Sequence, residues 1–180
     1  MRLFLALWPD DAALRRIEEI QQALQEAATR QGVRFVRPER IHLTLHFYGE
    51  FPERDLPELK QRLSTVRHPP IELRSTGFGA FPGLNRPKVV WLGLEGEGLA
   101  ELQEQAAKAV EGLVEPADAV FIPHLTLARV NPGSQEVGRR VRSIPPDLLE
   151  PPAVWTADKV ALVQTLPSAV YDDVGSFALE

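Results

Sequence analysis

His42-Leu43-Thr44-Leu45 returns letter for letter as His124-Leu125-Thr126-Leu127. Each alternates polar with apolar residues, the period of a β-strand whose successive side chains face opposite ways. In each copy the His and Thr therefore share one face, and the two leucines point together into a core. A single His-x-Thr on a strand is an ordinary half-exposed pair. Two copies, one in each half of a chain with only four histidines, need a cause. Packing alone would account for the leucines but not for the His and Thr. The matched copies predict two strands that line one cleft.

Outward from the first copy, an apolar run at residues 3–7 predicts a buried first strand. Asp10 or Asp11 caps a helix with Leu14, Ile17, Ile20 and Leu24 at helical spacing, ending near Arg30 and Gly32. Residues 33–36 are extended and lead into the motif strand over 41–48. Asp55 and Glu58 have capping-box spacing, followed by the stripe Leu56, Leu59, Leu63 and Val66. Strands at 71–78 and 88–94 precede a helix over 99–113. The second motif strand spans 119–130 and ends at the turn Asn131-Pro132-Gly133. A short helix capped by Ser134 follows, then a proline-rich linker and closing strands over 154–164 and 171–179. The order reads as a duplicated α+β unit.

The chain of 180 residues is 44% hydrophobic and 25% charged, which fits one soluble domain of ordinary composition. A net charge of −5 argues against a protein that coats nucleic acid, so any such substrate is held by a few local cations. There is no cysteine, which excludes disulfides, thiol nucleophiles and thiolate metal sites, and suits a cytoplasmic location. The first apolar run is too short for a membrane span and lacks a signal-peptide cleavage pattern. Neither motif carries a carboxylate at metal-ligand spacing, so no metal and no other cofactor is expected. Sixteen prolines and one methionine would suit a heat-adapted host, although GC-rich coding gives the same signature.

An imidazole titrates near neutrality and gives or takes a proton; a Thr hydroxyl donates to an anionic oxygen. Two such pairs facing each other surround a phosphate. One imidazole then activates water while the other protonates the leaving oxygen, each worth roughly 10²–10⁴-fold in rate. Which does which, the residues leave open.

The chain resembles the bacterial and archaeal RNA 2′,3′-cyclic phosphodiesterases of the two-histidine phosphoesterase superfamily, also called the 2′-5′ RNA ligase family. Beside the two His-x-Thr motifs, the likeness is carried by Val36-Arg37-Pro38-Glu39-Arg40, His46-Phe47-Tyr48-Gly49-Glu50, Gly79-Ala80-Phe81-Pro82, Arg86-Pro87-Lys88-Val89-Val90-Trp91 and Ala128-Arg129. The resemblance implies an α+β fold over residues 1–180: a bilobal, pseudo-symmetric duplicated unit with two antiparallel sheets facing a central cleft and helices on the outside. It implies hydrolysis of RNA ends carrying a 2′,3′-cyclic phosphate, tRNA-like fragments included, to a 2′-phosphate by a cytoplasmic monomer without metal. His42 would be the proton donor, His124 the proton acceptor, and Thr44, Thr126 and Arg129 the phosphate ligands.

Strand parity complicates Arg129: on a regular strand it faces away from His124 and Thr126, so a twist or bulge must intervene. His46, where similar proteins usually carry Lys, shares parity with His42 and is an accessory candidate, as is Tyr48. Arg34, Arg37 and Arg40 are further nucleotide-contact candidates, while Phe78, Phe81 and Trp91 read first as core. Small cyclic nucleotides as substrates, 2′-5′ ligation and non-catalytic binding of RNA ends remain as alternatives.

Overall fold

The computed structural model describes residues 1–28, 32–115, 120–134 and 136–180. In chain order they form β1 (Arg2–Leu7), α1 (Asp11–Ala27), β2 (Val33–Phe35), β3 (Leu43–Glu50), α2 (Leu56–Leu63) and β4 (Ile71–Phe81). There follow β5 (Val89–Glu95), α3 (Leu99–Ala109), β6 (His124–Val130), α4 (Glu136–Arg142), β7 (Val154–Ala157), β8 (Lys159–Leu166) and β9 (Val170–Ala178). The α+β class expected from the sequence is the observed one.

The strands pair antiparallel in the order β7-β4-β5-β6-β3-β1-β8-β9, with β2 added to β6. The two motif strands, β3 and β6, are the central neighbours, joined among the described residues through the one register pair Leu43↔Leu125. On one side of that narrow joint lie β3, β1, β8 and β9, and on the other β6, β5, β4 and β7 together with β2. These are the two antiparallel lobes, continuous where they meet. The duplication is threaded through them: β4, from the first half of the chain, lies beside β5, whereas β8 and β9, from the second half, build onto β1.

One face of the sheet packs against the helices. Leu43, Leu45, Leu125 and Leu127 are at most 3% exposed there, among Ile17, Ile20 and Leu24 of α1 and Leu59, Leu102 and Val137 of the other helices. Burying each leucine stabilises the fold by roughly 1.5–3 kcal/mol, so the apolar half of each motif anchors the joint. The opposite face is the cleft. Its first-lobe floor is a separate apolar patch of Phe4, Ala6, Ala161 and Val163, flanked by Trp8 and Tyr171.

Several boundaries differ from the sequence reading, for local reasons. Asp10 caps α1, its carboxylate accepting from the Ala13 N–H at 2.7 Å, but the helix stops at Ala27. The expected end at Arg30 lies outside the described residues, as does Ala119 at the expected start of the second motif strand. Asp55 does not cap α2. A 3₁₀ turn runs straight into that helix, so Asp55 has helical rather than extended dihedrals and its carboxylate faces Arg54. Helix α3 ends at Ala109, before Gly112 takes φ +78°. The stretch 154–164 bends at Asp158, its first part pairing with β4 and its second with β1. The strand at 71–78 runs on to Phe81.

Candidate active site

The site grows from the joint. Antiparallel pairing of Leu43 with Leu125 sets His42 toward Thr126 and Thr44 toward His124 across the two strands, all four on the cleft face. The two imidazoles are held by the same device. A carbonyl only accepts, so Nδ1 of His42 donates to the Arg40 carbonyl at 2.8 Å, and Nδ1 of His124 to the Ile122 carbonyl at 2.6 Å. In each case the partner lies two residues earlier in the chain, and the ring is left with Nε2 as its free nitrogen.

The walls around the rings are aromatic. His42 stacks on Phe4 at 4.7 Å between ring centroids and meets Trp8 at 5.1 Å and Tyr171 edge-on at 5.4 Å. His124 lies edge-on to Phe81 at 4.9 Å and 5.8 Å from Trp91. Trp91 lies flat over the strand because Gly79 opposite it has no side chain; a Cβ there would fall 2.1 Å from the indole ring. Arg40 caps the first wall, its guanidinium 4.9 Å from the Tyr171 ring centre and one of its N–H groups donating to the Tyr171 hydroxyl at 3.3 Å. Phe81 and Trp91 thus face the cleft, while Phe78 packs against the core.

These walls set the electrostatics. Burial lowers the His42 pKa to about 4; its hydrogen bond to the Arg40 carbonyl opposes this, and the positive charges of Arg40 and His124 add to it. Burial also lowers His124, against the opposing bond to the Ile122 carbonyl. At neutral pH both are uncharged in the free protein.

A bulge resolves the parity of Arg129. Trp91 pairs with Thr126 and Val90 with Ala128, so Leu127 is the extra residue of β6. Leu127 and Ala128 both enter the core, and Arg129 emerges, exposed, on the face of His124 and Thr126. Gln21 ties this bulge to α1: its amide donates to the Leu127 carbonyl at 2.9 Å and to the Val36 carbonyl at 2.8 Å. Sequence reasoning missed Gln21, although the signal was there. It sits one turn after Ile17 on the buried stripe of α1, and a polar residue at such a position needs partners.

The matching bulge in β3 corrects the reading of His46 and Tyr48. Ala6 pairs with Thr44 and Leu5 with His46, which makes Leu45 the extra residue. His46 is turned to the side of Leu5, away from His42. It is 5% exposed, its ring 4.9 Å from that of Tyr48, and burial lowers its pKa. Tyr48 is buried in the same core, which raises the pKa of its hydroxyl. Neither lines the cleft, because the bulge reverses the alternation on which their assignment rested. Phe47 takes the cleft face in their place, 70% exposed and paired with Phe4. Among the described residues no group of three His, Cys, Asp or Glu is placed to hold a metal ion, and no helix is long and apolar enough to cross a membrane.

Two antiparallel lobes that meet at paired His-x-Thr strands define a two-lobed α+β protein with twin imidazoles in one cleft. Comparison places that architecture. The family model of LigT-like phosphoesterases matches residues 7–91. A protein of Archaeoglobus fulgidus named RNA 2′,3′-cyclic phosphodiesterase is 38% identical over 143 residues, covering 79% of this chain and 80% of its own. The crystal structure of TT0787 of Thermus thermophilus superposes with a TM-score of 0.78 at 30% identity, over 99% of this chain and 98% of that one. Escherichia coli LigT complexed with 3′-AMP has the same fold, with a TM-score of 0.78 at 23% identity over 99% and 97% of the two chains. The chain belongs to the LigT-like phosphoesterase family and is an enzyme of the phosphoesterase class.

Proposed function

We propose that the cleft hydrolyses the 2′,3′-cyclic phosphate at the end of an RNA to a 2′-phosphomonoester, by acid–base catalysis between His42 and His124. The observation that carries this reading is the twin presentation of Nε2. Two histidines from remote parts of the chain are locked in one tautomer by equivalent backbone bonds, on strands that meet at Leu43 and Leu125. The name carried by the Archaeoglobus relative supports the same substrate.

In the reaction, Thr44 and Thr126 donate to the non-bridging oxygens and Arg129 adds a positive charge. Nε2 of His124 takes a proton from water as the oxygen attacks phosphorus. The bond from phosphorus to O3′ breaks in line, and Nε2 of His42 delivers its proton to O3′. The product carries a 2′-phosphate and a 3′-hydroxyl, and the two histidines exchange protons with solvent to reset. Because His42 is neutral in the free protein, its proton arrives with the anionic phosphate, whose charge offsets Arg40. The enzyme acts in this way as a cytoplasmic monomer, without a metal ion.

The test is incubation with an oligonucleotide ending in a 2′,3′-cyclic phosphate. A 2′-phosphate product is expected, and a 3′-phosphate or no product overturns the assignment. His124→Ala should lower kcat by 10²-fold or more with the melting temperature held; full activity in that folded variant would remove His124 from the chemistry.

A further inference from the structure

We propose that Arg34 binds the phosphodiester next upstream of the cyclic end, so that the cleft is built for an oligonucleotide rather than a free cyclic mononucleotide. This rests on the function proposed above and names its substrate class. The register of β2 against β6 sets Arg34 directly opposite Arg129, with Val33↔Val130 and Phe35↔Ala128 on either side. Those four flanking residues all belong to or pack on the core, so alternation leaves the two arginines on the cleft face. Both are exposed.

Two guanidiniums directly opposite each other on neighbouring strands repel. Among the described residues neither has a carboxylate partner, although acidic residues outnumber basic ones, 25 to 20, in the whole chain. Arrangement of two unneutralised cations on adjoining strands at one end of a cleft is what a polyanion relieves. Arg129 follows Thr126 across the bulge, on the same face of β6. Arg34 stands one strand further out, on β2 at the margin of the site. A mononucleotide 2′,3′-cyclic phosphate fills the first position and offers the second nothing. An RNA end brings the next phosphodiester to it, and a guanidinium takes two of its oxygens in one plane.

The opposite end of the cleft has no such pair. By the equivalence of the two bulges, the counterpart of Arg129 is Phe47, an uncharged residue. The paired arginines therefore mark one end of a cleft whose walls are aromatic throughout, and a bound strand has a direction in it.

The experiment compares wild type with Arg34→Gln on two substrates, a 2′,3′-cyclic mononucleotide and a short RNA with the same terminal nucleotide. For the RNA, KM should rise roughly tenfold at low salt with kcat kept, as for loss of one charge-assisted bond. For the mononucleotide, both constants should stay within about twofold. A plot of log KM against log salt for the RNA should lose roughly 0.7 from its slope, the share of one phosphate contact. Equal losses on both substrates, or no loss on either, overturn the role of Arg34. A wild type that opens neither substrate overturns instead the function on which it rests.

Discussion

His42 is the residue on which burial and charge act most. Its folded pKa of about 4 lies below the ordinary 6.5, so between those values the unfolded chain binds the extra proton. Stability should therefore be constant above about pH 7 and fall by up to ~3 kcal/mol as pH drops from 6.5 to 4. In His42→Phe that part of the slope should vanish, as read by urea denaturation at several pH values. An unchanged slope would mean that the imidazole is solvated. Catalysis moves the other way. With both histidines lowered, the singly protonated pair is scarce at pH 7 and grows on acidification, so kcat/KM should peak below pH 6.5. The kcat profile should lie at higher pH, because bound phosphate raises both groups. An optimum of kcat/KM at pH 8 would contradict the burial of the rings.

At the scale of elements, the site depends on two one-residue bulges and on the helix that braces one of them. Gln21 of α1, 4% exposed, satisfies two carbonyls where β6 departs from regular pairing. Gln21→Leu would leave the Val36 carbonyl without its side-chain donor and free the Leu127 carbonyl from one of its two bonds. A loss of about 1–3 kcal/mol is expected by chemical denaturation. If Gln21 merely packs, kinetics of the folded fraction will be normal. If it positions the bulge, KM should rise more than kcat falls, since Arg129 downstream loses its orientation. Both bulges explain why period-two reading placed the motif side chains well and the next residues badly. Alternation holds for His-x-Thr and breaks one residue later, in both strands.

For the whole molecule, the joint is thin and the ligand bridges it. Among the described residues only Leu43↔Leu125 pairs the two half-sheets at the centre, while the four proposed phosphate-facing side chains come from both strands of the joint. An anion that binds the native cleft alone should stabilise the fold by about 2.7 kcal/mol at a hundred times its Kd. For a chain of this length that is a rise in Tm of roughly 5–10 °C. Inorganic phosphate should raise Tm of the wild type, and Thr44→Ala combined with Thr126→Ala should abolish the rise. An equal shift in that double variant would place the anion elsewhere.

Much of this was written in residue types and spacings. The repeated tetrapeptide, the helical stripes of α1 and α2, and the turn at Asn131 to Gly133 are local patterns, and local patterns survive without knowledge of the partner. The four residues of the proposed site are legible for the same reason: they recur in one period on one face. What the linear chain left open depends on pairing. The sheet order threads β4 and β8 into lobes built mainly from the other half of the chain. The bulges turn Arg129 into the cleft and His46 out of it, and β2 brings Arg34 opposite Arg129. The aromatic walls that strip the imidazoles of water come from β1, β4, β5 and β9. Register and burial arise from contacts between residues far apart in sequence, and no window of neighbouring letters contains them.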